Sequence, residues 1–189
     1  MLKRYVTFLL TALLLSACTA TTPSAIDPAR RAADIERDTD RAIESLQTNV
    51  EGADQLLSKA RGVAIFPSVL SAALMVGGSR GDGVLRVNGQ SVSYHTITSG
   101  SFGFQAGVRS AAMFLLFMTD ESLQQFQSGK RDWSAGVDAS VTVISAGLSA
   151  QATTTTLQQP VIGFVLANRG LMGGVSFDGS RIAPLNLQN

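Results

Sequence analysis

The sequence predicts a mainly β fold with helices, of the α+β class. We expect a closed or nearly closed antiparallel sheet of about 8–10 strands, an N-terminal helix and one short internal helix. Short apolar runs separated by glycine and turn residues follow one another from residue 62 onwards, which is typical of antiparallel strands. Residues 28–61 instead repeat apolar residues at helical spacing. A sheet of that many strands hides its edges most economically by closing.

Composition limits the classes of function open to the chain. It has 189 residues, of which 45% are hydrophobic and 15% charged, which suits one folded domain. The formal charge of +1 gives no excess that would attract nucleic acid. One cysteine and one histidine exclude an internal disulfide and any site that needs several thiolates or imidazoles. We therefore expect no cofactor, no metal and no nucleic-acid partner.

The first 17 residues have the shape of a secretory signal peptide. Lys3 and Arg4 precede a mainly apolar, uncharged run that is shorter than the roughly 20 residues needed to cross a bilayer. The run ends in Leu15-Ser16-Ala17-Cys18, which resembles the lipobox of bacterial lipoproteins. The resemblance implies cleavage before Cys18 and acylation of its sulfur, palmitate included. The alternative is that Cys18 is an ordinary thiol beside a conventional cleavage site.

The residue after Cys18 bears on the destination of the lipoprotein. Thr19 stands where aspartate, by analogy with enterobacterial sorting, would favour retention in the inner membrane. We therefore expect anchoring in the outer membrane, with the domain facing the periplasm. Residues 18–27 are small and polar and predict a flexible, lipidated tether.

Residues 28–61 predict an amphipathic helix or a pair of helices. Asp27 is the expected N-cap, Pro28 takes the first helical position, and Glu51-Gly52 marks a break. Eight acids and six bases lie between residues 27 and 61. A helix that lies on a membrane surface would show the opposite bias, so we expect this segment to pack on residues 62–189 as one domain.

Glycine and turn residues divide the rest of the chain into predicted strands. Pro67 ends the first strand, Arg80-Gly81-Asp82-Gly83 forms a turn, and Asn88-Gly89 forms a two-residue hairpin. Thr119 caps a short helix that reaches about Ser128. The predicted strands are residues 62–66, 69–79, 84–87, 90–98, 99–110, 111–118, 133–140, 141–150, 161–167 and 171–177. Residues 113–118 lack polar alternation, so both faces of that strand should be buried.

Gly77-Gly78-Ser79-Arg80-Gly81 matches the Gly-x-Ser-x-Gly pattern of serine hydrolases. That nucleophile elbow joins a strand to a helix, whereas a turn and a hairpin are predicted here. His95 is the only candidate base and Asp82 the only nearby acid. We therefore expect an accidental match, no enzyme, and His95 as a hydrogen-bonded or solvated strand residue.

Arg80-Gly81-Asp82 also spells the integrin-binding tripeptide. A tight polar turn uses the same three residues, and a protein that faces the periplasm does not meet integrins. The sequence therefore favours a turn over an adhesion site.

A series of short segments, in chain order, resembles the SYLF domain family over roughly residues 45–185. They are Phe66-Pro67-Ser68-Val69, Gly78-Ser79-Arg80-Gly81-Asp82-Gly83, Gly100-Ser101-Phe102-Gly103-Phe104-Gln105-Ala106-Gly107, Phe117-Met118-Thr119-Asp120, Trp133-Ser134-Ala135-Gly136-Val137-Asp138, Pro160-Val161-Ile162-Gly163-Phe164 and Gly170-Leu171-Met172-Gly173-Gly174-Val175-Ser176. Eukaryotic SYLF proteins bind phosphoinositides and some bundle actin, while lipid binding is proposed for bacterial members, mostly lipoproteins. The resemblance brings no catalytic residues.

Two departures limit what the resemblance implies. The helical segment is slightly acidic where eukaryotic members have a basic amphipathic N-terminus, and the periplasm offers neither phosphoinositides nor actin. Actin is therefore not an expected partner.

The lipobox and the resemblance together predict an outer-membrane lipoprotein whose SYLF-like domain binds phospholipid, through its covalent anchor and by direct contact. Six cations near predicted turns or strand ends are the candidates for pairing with lipid phosphate. They are Arg80, Arg86, Arg109, Lys130, Arg131 and Arg169, with Arg181 left aside. Two alternatives stay open. These cations are simply solvated, or the protein is a structural lipoprotein that docks an envelope protein without recognising lipid.

Overall fold

The computed structural model describes residues 27–128, 132–144, 158–167, 170–171, 177 and 179–187. The predicted signal peptide, Cys18 and nearly all of the tether lie outside the described residues. Three helices are described, α1 Pro28–Asn49, α2 Ala53–Lys59 and α3 Asp120–Gln127. The described strands are β1 Gly62–Val87, β2 Gln90–Phe117, β3 Trp133–Ser134, β4 Val141–Ile144, β5 Val161–Ala167, β6 Gly170–Leu171 and β7 Arg181–Pro184.

The helices begin and end where local sequence signals place them. The Asp27 carboxylate accepts a hydrogen bond from the Ala29 backbone N–H at 3.1 Å, and Pro28 opens α1. Gly52 has a φ of 81°, which separates α1 from α2 at the predicted break. Thr119 caps α3 by accepting from the Ser122 backbone N–H at 3.1 Å. None of the described helices is both long and apolar enough to span a membrane.

The two longest strands form one hairpin. Its turn is the predicted Asn88-Gly89, with φ values of 52° and 77°, as a type I′ turn requires. The predicted strand breaks on either side are wrong, because β1 is a continuous strand of 26 residues and β2 one of 28. Pro67 lies in a β-bulge, where the pairing jumps from Phe66 with Met113 to Val69 with Ala111. A bulge tolerates proline because its missing N–H removes no regular ladder bond.

The hairpin folds back so that the two halves of β1 touch. A Cβ atom on Gly81 would lie 2.7 Å from the carbonyl oxygen of Ser68 and 2.8 Å from Cγ2 of Val69. One on Gly83 would lie 2.6 Å from Cδ1 of Phe66. Only glycine allows backbones to approach this closely. The predicted turn at Arg80–Gly83 is therefore wrong, since these residues lie inside β1 and pack against its first half.

The described strands form one mixed sheet of seven strands, in the order β3-β7-β2-β5-β4, with β1 on β2 and β6 on β5. The predicted α+β class is confirmed. The sheet is a half-barrel that does not close and its pairing is mixed, so the prediction of a closed or nearly closed antiparallel sheet is wrong. β4 runs parallel to β5. Closure is unnecessary because folding back of the hairpin buries one sheet face and α1 and α2 cover the other.

The side chains of β1, β2 and β5 project alternately into two apolar layers, and residues of α1 and α2 complete the outer one. The inner layer lies between the two halves of the hairpin and contains Ala64, Phe66, Leu85, Ile97, Leu115, Phe117, Val161 and Val165. The outer layer lies beneath α1 and α2 and contains Leu46, Leu56, Ile65, Phe114, Leu116, Ile162 and Phe164. This arrangement buries Phe114 to Met118 on both faces, as their apolar run predicted.

The C-terminal strands match the sequence prediction in part. β5 has the predicted bounds, whereas β3 ends at Ser134 rather than Ser140. An isolated bridge between Ala135 and Ala139 closes a turn there. β7, which was not predicted from the sequence, pairs with residues 95–98 of β2. Residues 145–150 and 172–176 lie outside the described part of the chain.

Replacement of Gly81 by alanine should destabilise the fold. The new methyl group would collide with the Ser68 backbone, at a cost of about 1–3 kcal/mol, as in other overpacked cores. Gly100→Ala is the matched control, since nothing lies within 4 Å of its Cβ position. Urea unfolding should show a lower midpoint for Gly81→Ala alone. Equal midpoints in the two variants would contradict the close approach.

Candidate functional site

The structure describes three of the six cations predicted to bind lipid. Arg80, Arg86 and Arg109 lie on the β1–β2 hairpin, whereas Lys130, Arg131 and Arg169 lie outside the described residues. Arg181, which was left aside from these six, is 3.7 Å from a carboxylate oxygen of Asp132. The surroundings of the three hairpin arginines differ. They distinguish an arginine that pairs with carboxylates inside the fold from arginines that are exposed and able to contact a ligand.

Arg86 joins the hairpin to α1. Its side chain is 17% exposed and its guanidinium contacts Glu36 and Asp40, each at 2.7 Å. Glu36 also accepts hydrogen bonds from the hydroxyls of Ser91 and Tyr94, both at 2.9 Å. Burial alone would raise the pKa of Glu36, but these hydrogen bonds and the charge of Arg86 outweigh it and lower the pKa. Arg86 therefore holds α1, and its contact with lipid stays a prediction.

The second contact between α1 and the hairpin involves Asp82. The Arg31 guanidinium pairs with the Asp82 carboxylate, with its Nε at 3.1 Å, and Thr96 Oγ1 donates to the same carboxylate at 2.7 Å. Asp82 is therefore engaged inside the sheet rather than presented at a turn tip. In the hydrolase-like motif, Ser79 also lies inside β1, where its Oγ is 2.5 Å from Oγ of Ser99. The strand-to-helix elbow of a serine hydrolase is not formed.

Arg80 and Arg109 differ from Arg86. Both are exposed, and neither makes an ion pair with any residue that the structure describes. Arg80 pairs in register with Thr98, and Arg109 with Ser71. They mark the two ends of the segment of hairpin where it folds back. We call this segment, residues 70–80 of β1 with 98–110 of β2, the outer ribbon.

The outer ribbon exposes apolar side chains and contains no acidic residue. Leu70 is 54% exposed and Val108 is 70% exposed. Within the described strands, β7 pairs with β2 at residues 95–98 and β5 pairs with it at 112–117, so residues 99–111 pair only with β1. Leu70 and Val108 were not among the site residues predicted from the sequence. One sequence signal could have drawn attention to this segment of the hairpin. Asp82 is the only acidic residue between Asp54 and Asp120, so the segment is unusually poor in negative charge.

A cavity of about 300 Å³ lies at the other end of the hairpin, lined by His95, Ser93, Phe126 and Trp133 among others. His95 is buried, its Nε2 is 2.8 Å from Oγ of Ser93, and its ring lies 4.8 Å from that of Phe126. Burial lowers the pKa of His95 from 6.5 to about 4, so the imidazole is neutral at pH 7. In the described part of the chain, no three His, Cys, Asp or Glu side chains gather as a metal site.

Comparison with known families agrees with the last five of the seven motif segments, those from Gly100 onwards. A family model described as "Ysc84: Las17-binding protein actin regulator" matches residues 98–189. This match confirms the resemblance to the SYLF (Ysc84) family over residues 98–189. The match begins at Thr98, at the start of the β2 half of the outer ribbon, and includes Arg109. SYLF domains in general bind lipids, and some bind actin, and the family is not known for catalysis. No curated protein matches the chain.

The buried neutral His95 should make stability depend on pH. Its folded-state pKa lies below the unfolded value, so its contribution is fully present above about pH 6.5 and is lost as the pH falls towards about 4. The loss should reach about 3 kcal/mol. Urea unfolding across this window should show the slope in the native chain and a flatter one in His95→Gln.

Glu36 provides a separate acid-sensitive contribution. Because its pKa is lowered, its contribution is lost only as the pH falls below its usual 4.5, beneath most of the His95 window. The same slope in the native chain and in His95→Gln between pH 6.5 and 4.5 would contradict the assignment to His95.

Proposed function

We propose that this chain is a lipid-anchored protein of the outer membrane, facing the periplasm, whose SYLF-family domain binds phospholipid and catalyses no reaction. The observation that carries the proposal is the single cysteine of the chain. It lies at the lipobox position, ahead of a domain from a family that binds lipids. Arg80 and Arg109 of the outer ribbon, which make no ion pair with the residues that the structure describes, supply cations that suit lipid phosphate.

The proposed anchor keeps the domain near the bilayer. Buried acyl chains contribute about 0.8 kcal/mol per CH₂, and more than one chain gives stable attachment. Residues 18–27 join Cys18 to the start of α1, and even fully extended they reach at most about 35 Å. The domain therefore stays within one domain diameter of the membrane, where weak direct contacts have a high effective concentration.

Replacement of Cys18 should remove the anchor. The native protein from envelopes should start at Cys18, carry the mass of its acyl chains and partition into detergent. Cys18→Ala should lose the added mass and stay in the aqueous phase, because no sulfur remains to be acylated. Mass spectrometry of the purified protein measures this directly. A native chain that retains Met1 and a free thiol would contradict the anchor.

Direct lipid binding should depend on Arg80 and Arg109. We use the mature chain with Cys18→Ser, so that co-sedimentation with vesicles reports contacts of the domain alone. Binding should be stronger to phosphatidylglycerol mixed with phosphatidylethanolamine than to phosphatidylcholine. At about 1 kcal/mol for each cation near an anionic surface, Arg80→Gln with Arg109→Gln should weaken binding about thirtyfold.

The matched control removes two arginines that pair with acids, by Arg41→Gln with Arg181→Gln. Arg41 lies 3.1 Å from a carboxylate oxygen of Asp38, and Arg181 lies beside Asp132. This control changes the net charge equally and should weaken binding much less. Equal losses would show that total charge alone matters. Absence of binding to either vesicle would refute direct lipid recognition and favour the docking of an envelope protein.

A further inference from the structure

We propose that the outer ribbon is the part of the domain that enters the membrane interface. In this arrangement, Leu70, Ala72 and Val108 contact the acyl boundary, and the long side chains of Arg80 and Arg109 reach lipid phosphates. Arg109 directly follows Val108 in β2, so it projects from the opposite face of the ribbon. The inference rests on the proposed function and adds the site at which the protein meets lipid.

The exposed apolar residues share one face of the ribbon. Ala72 lies opposite Val108 in register, and Leu70 lies two residues from Ala72 on the same strand. Residues directly opposite, and residues two apart, project to the same side of a two-stranded ribbon. Ala72 is also exposed. Three neighbouring apolar side chains therefore face outward from a part of the ribbon that pairs with no other described strand.

The charges of the ribbon match a lipid surface. It contains two arginines and no carboxylate, and both arginines are exposed and free of ion pairs with the described residues. Apolar side chains reach the acyl boundary just below the headgroups, while the long arginine side chains keep their charge at the phosphate level. A protein partner would have to supply both an apolar socket and acidic groups at its two ends.

The tether is expected to join the domain beside the outer ribbon, where α1 begins. It joins α1 at Pro28, and Arg31 in the first turn of α1 pairs with Asp82 on β1. Asp82 is two residues from Arg80, at one end of the ribbon. The chain that carries the proposed lipid anchor therefore begins on the side of the domain from which the ribbon projects. Because the start of α1 and the ribbon lie on the same side, the anchored domain can bring the ribbon to the membrane without a large rotation.

The test introduces a charge on the apolar face. Val108→Asp, in the mature chain with Cys18→Ser, should weaken co-sedimentation with phosphatidylglycerol–phosphatidylethanolamine vesicles at least about tenfold, because a carboxylate is repelled by anionic lipid and resists burial. Leu70→Asp should act in the same direction. Val108→Leu keeps the apolar contact and should bind like the parent chain.

Val137→Asp is the matched control. Val137 is 78% exposed, against 70% for Val108, and lies in the turn after β3, outside the ribbon. The same change of charge at this position should alter binding less than about twofold. Thermal unfolding should give equal midpoints for both variants, since each side chain is mostly exposed.

The outcomes separate the two proposals. If the parent chain binds vesicles and Val108→Asp binds equally well, the ribbon is not the contact site and the proposed lipid binding stands. If the parent chain binds no vesicles, both proposals fail. If Val108→Asp keeps vesicle binding but loses a specific protein crosslink in intact envelopes, the ribbon docks a protein and its insertion into lipid is refuted.

Discussion

The close contact between the two halves of β1 determines the rest of the structure. Gly81 and Gly83 allow the returning half of the strand to lie directly on residues 65–69, at distances that exclude any side chain. This contact places Leu85 and Ile97 over Phe66 and Phe117 and so creates the inner apolar layer. It also forces the middle of the hairpin to leave the sheet and return, which produces the outer ribbon.

The charges of the domain are distributed around this hairpin. Two ion pairs join α1 to the returning half of β1, Arg31 with Asp82 and Glu36 with Arg86. The carboxylates of Asp82 and Glu36 therefore face arginine side chains. The outer ribbon carries Arg80 and Arg109 and contains no acidic residue. The same ion pairs fix the N-terminal turn of α1, where the tether joins, beside the ribbon. The same distribution of charge therefore both attaches α1 to the hairpin and leaves the arginines of the outer ribbon for the proposed membrane contact.

Local signals predicted local structure well. The Asp27 and Thr119 caps, the Asn88-Gly89 turn and the bounds of β5 each depend on a few adjacent residues, and all were confirmed. Pro67 and the glycines near residue 80 were interpreted as strand ends. Their true surroundings, a bulge and a close strand-to-strand contact, involve residues distant in sequence. The parallel pairing of β4 with β5 and the missed β7 have the same cause.

The candidate site was predictable only in part. Sequence position identified Arg80 and Arg109 as cations near strand ends, but it could not separate them from Arg86, whose partners Glu36 and Asp40 lie on another element. Leu70 and Val108 look like ordinary core residues of a strand. Their exposure follows from the folding back of the hairpin, which no short-range pattern encodes.

The central claim is that the outer ribbon meets lipid, and site-specific labelling measures this most directly. With Cys18→Ser in place, a single cysteine introduced at position 108 or 137 can carry an environment-sensitive fluorophore. On addition of phosphatidylglycerol–phosphatidylethanolamine vesicles, the account predicts a blue shift, and quenching by lipid-borne nitroxides, at position 108 and neither at 137. An unchanged spectrum at position 108 under conditions where the labelled protein sediments with the vesicles would contradict it.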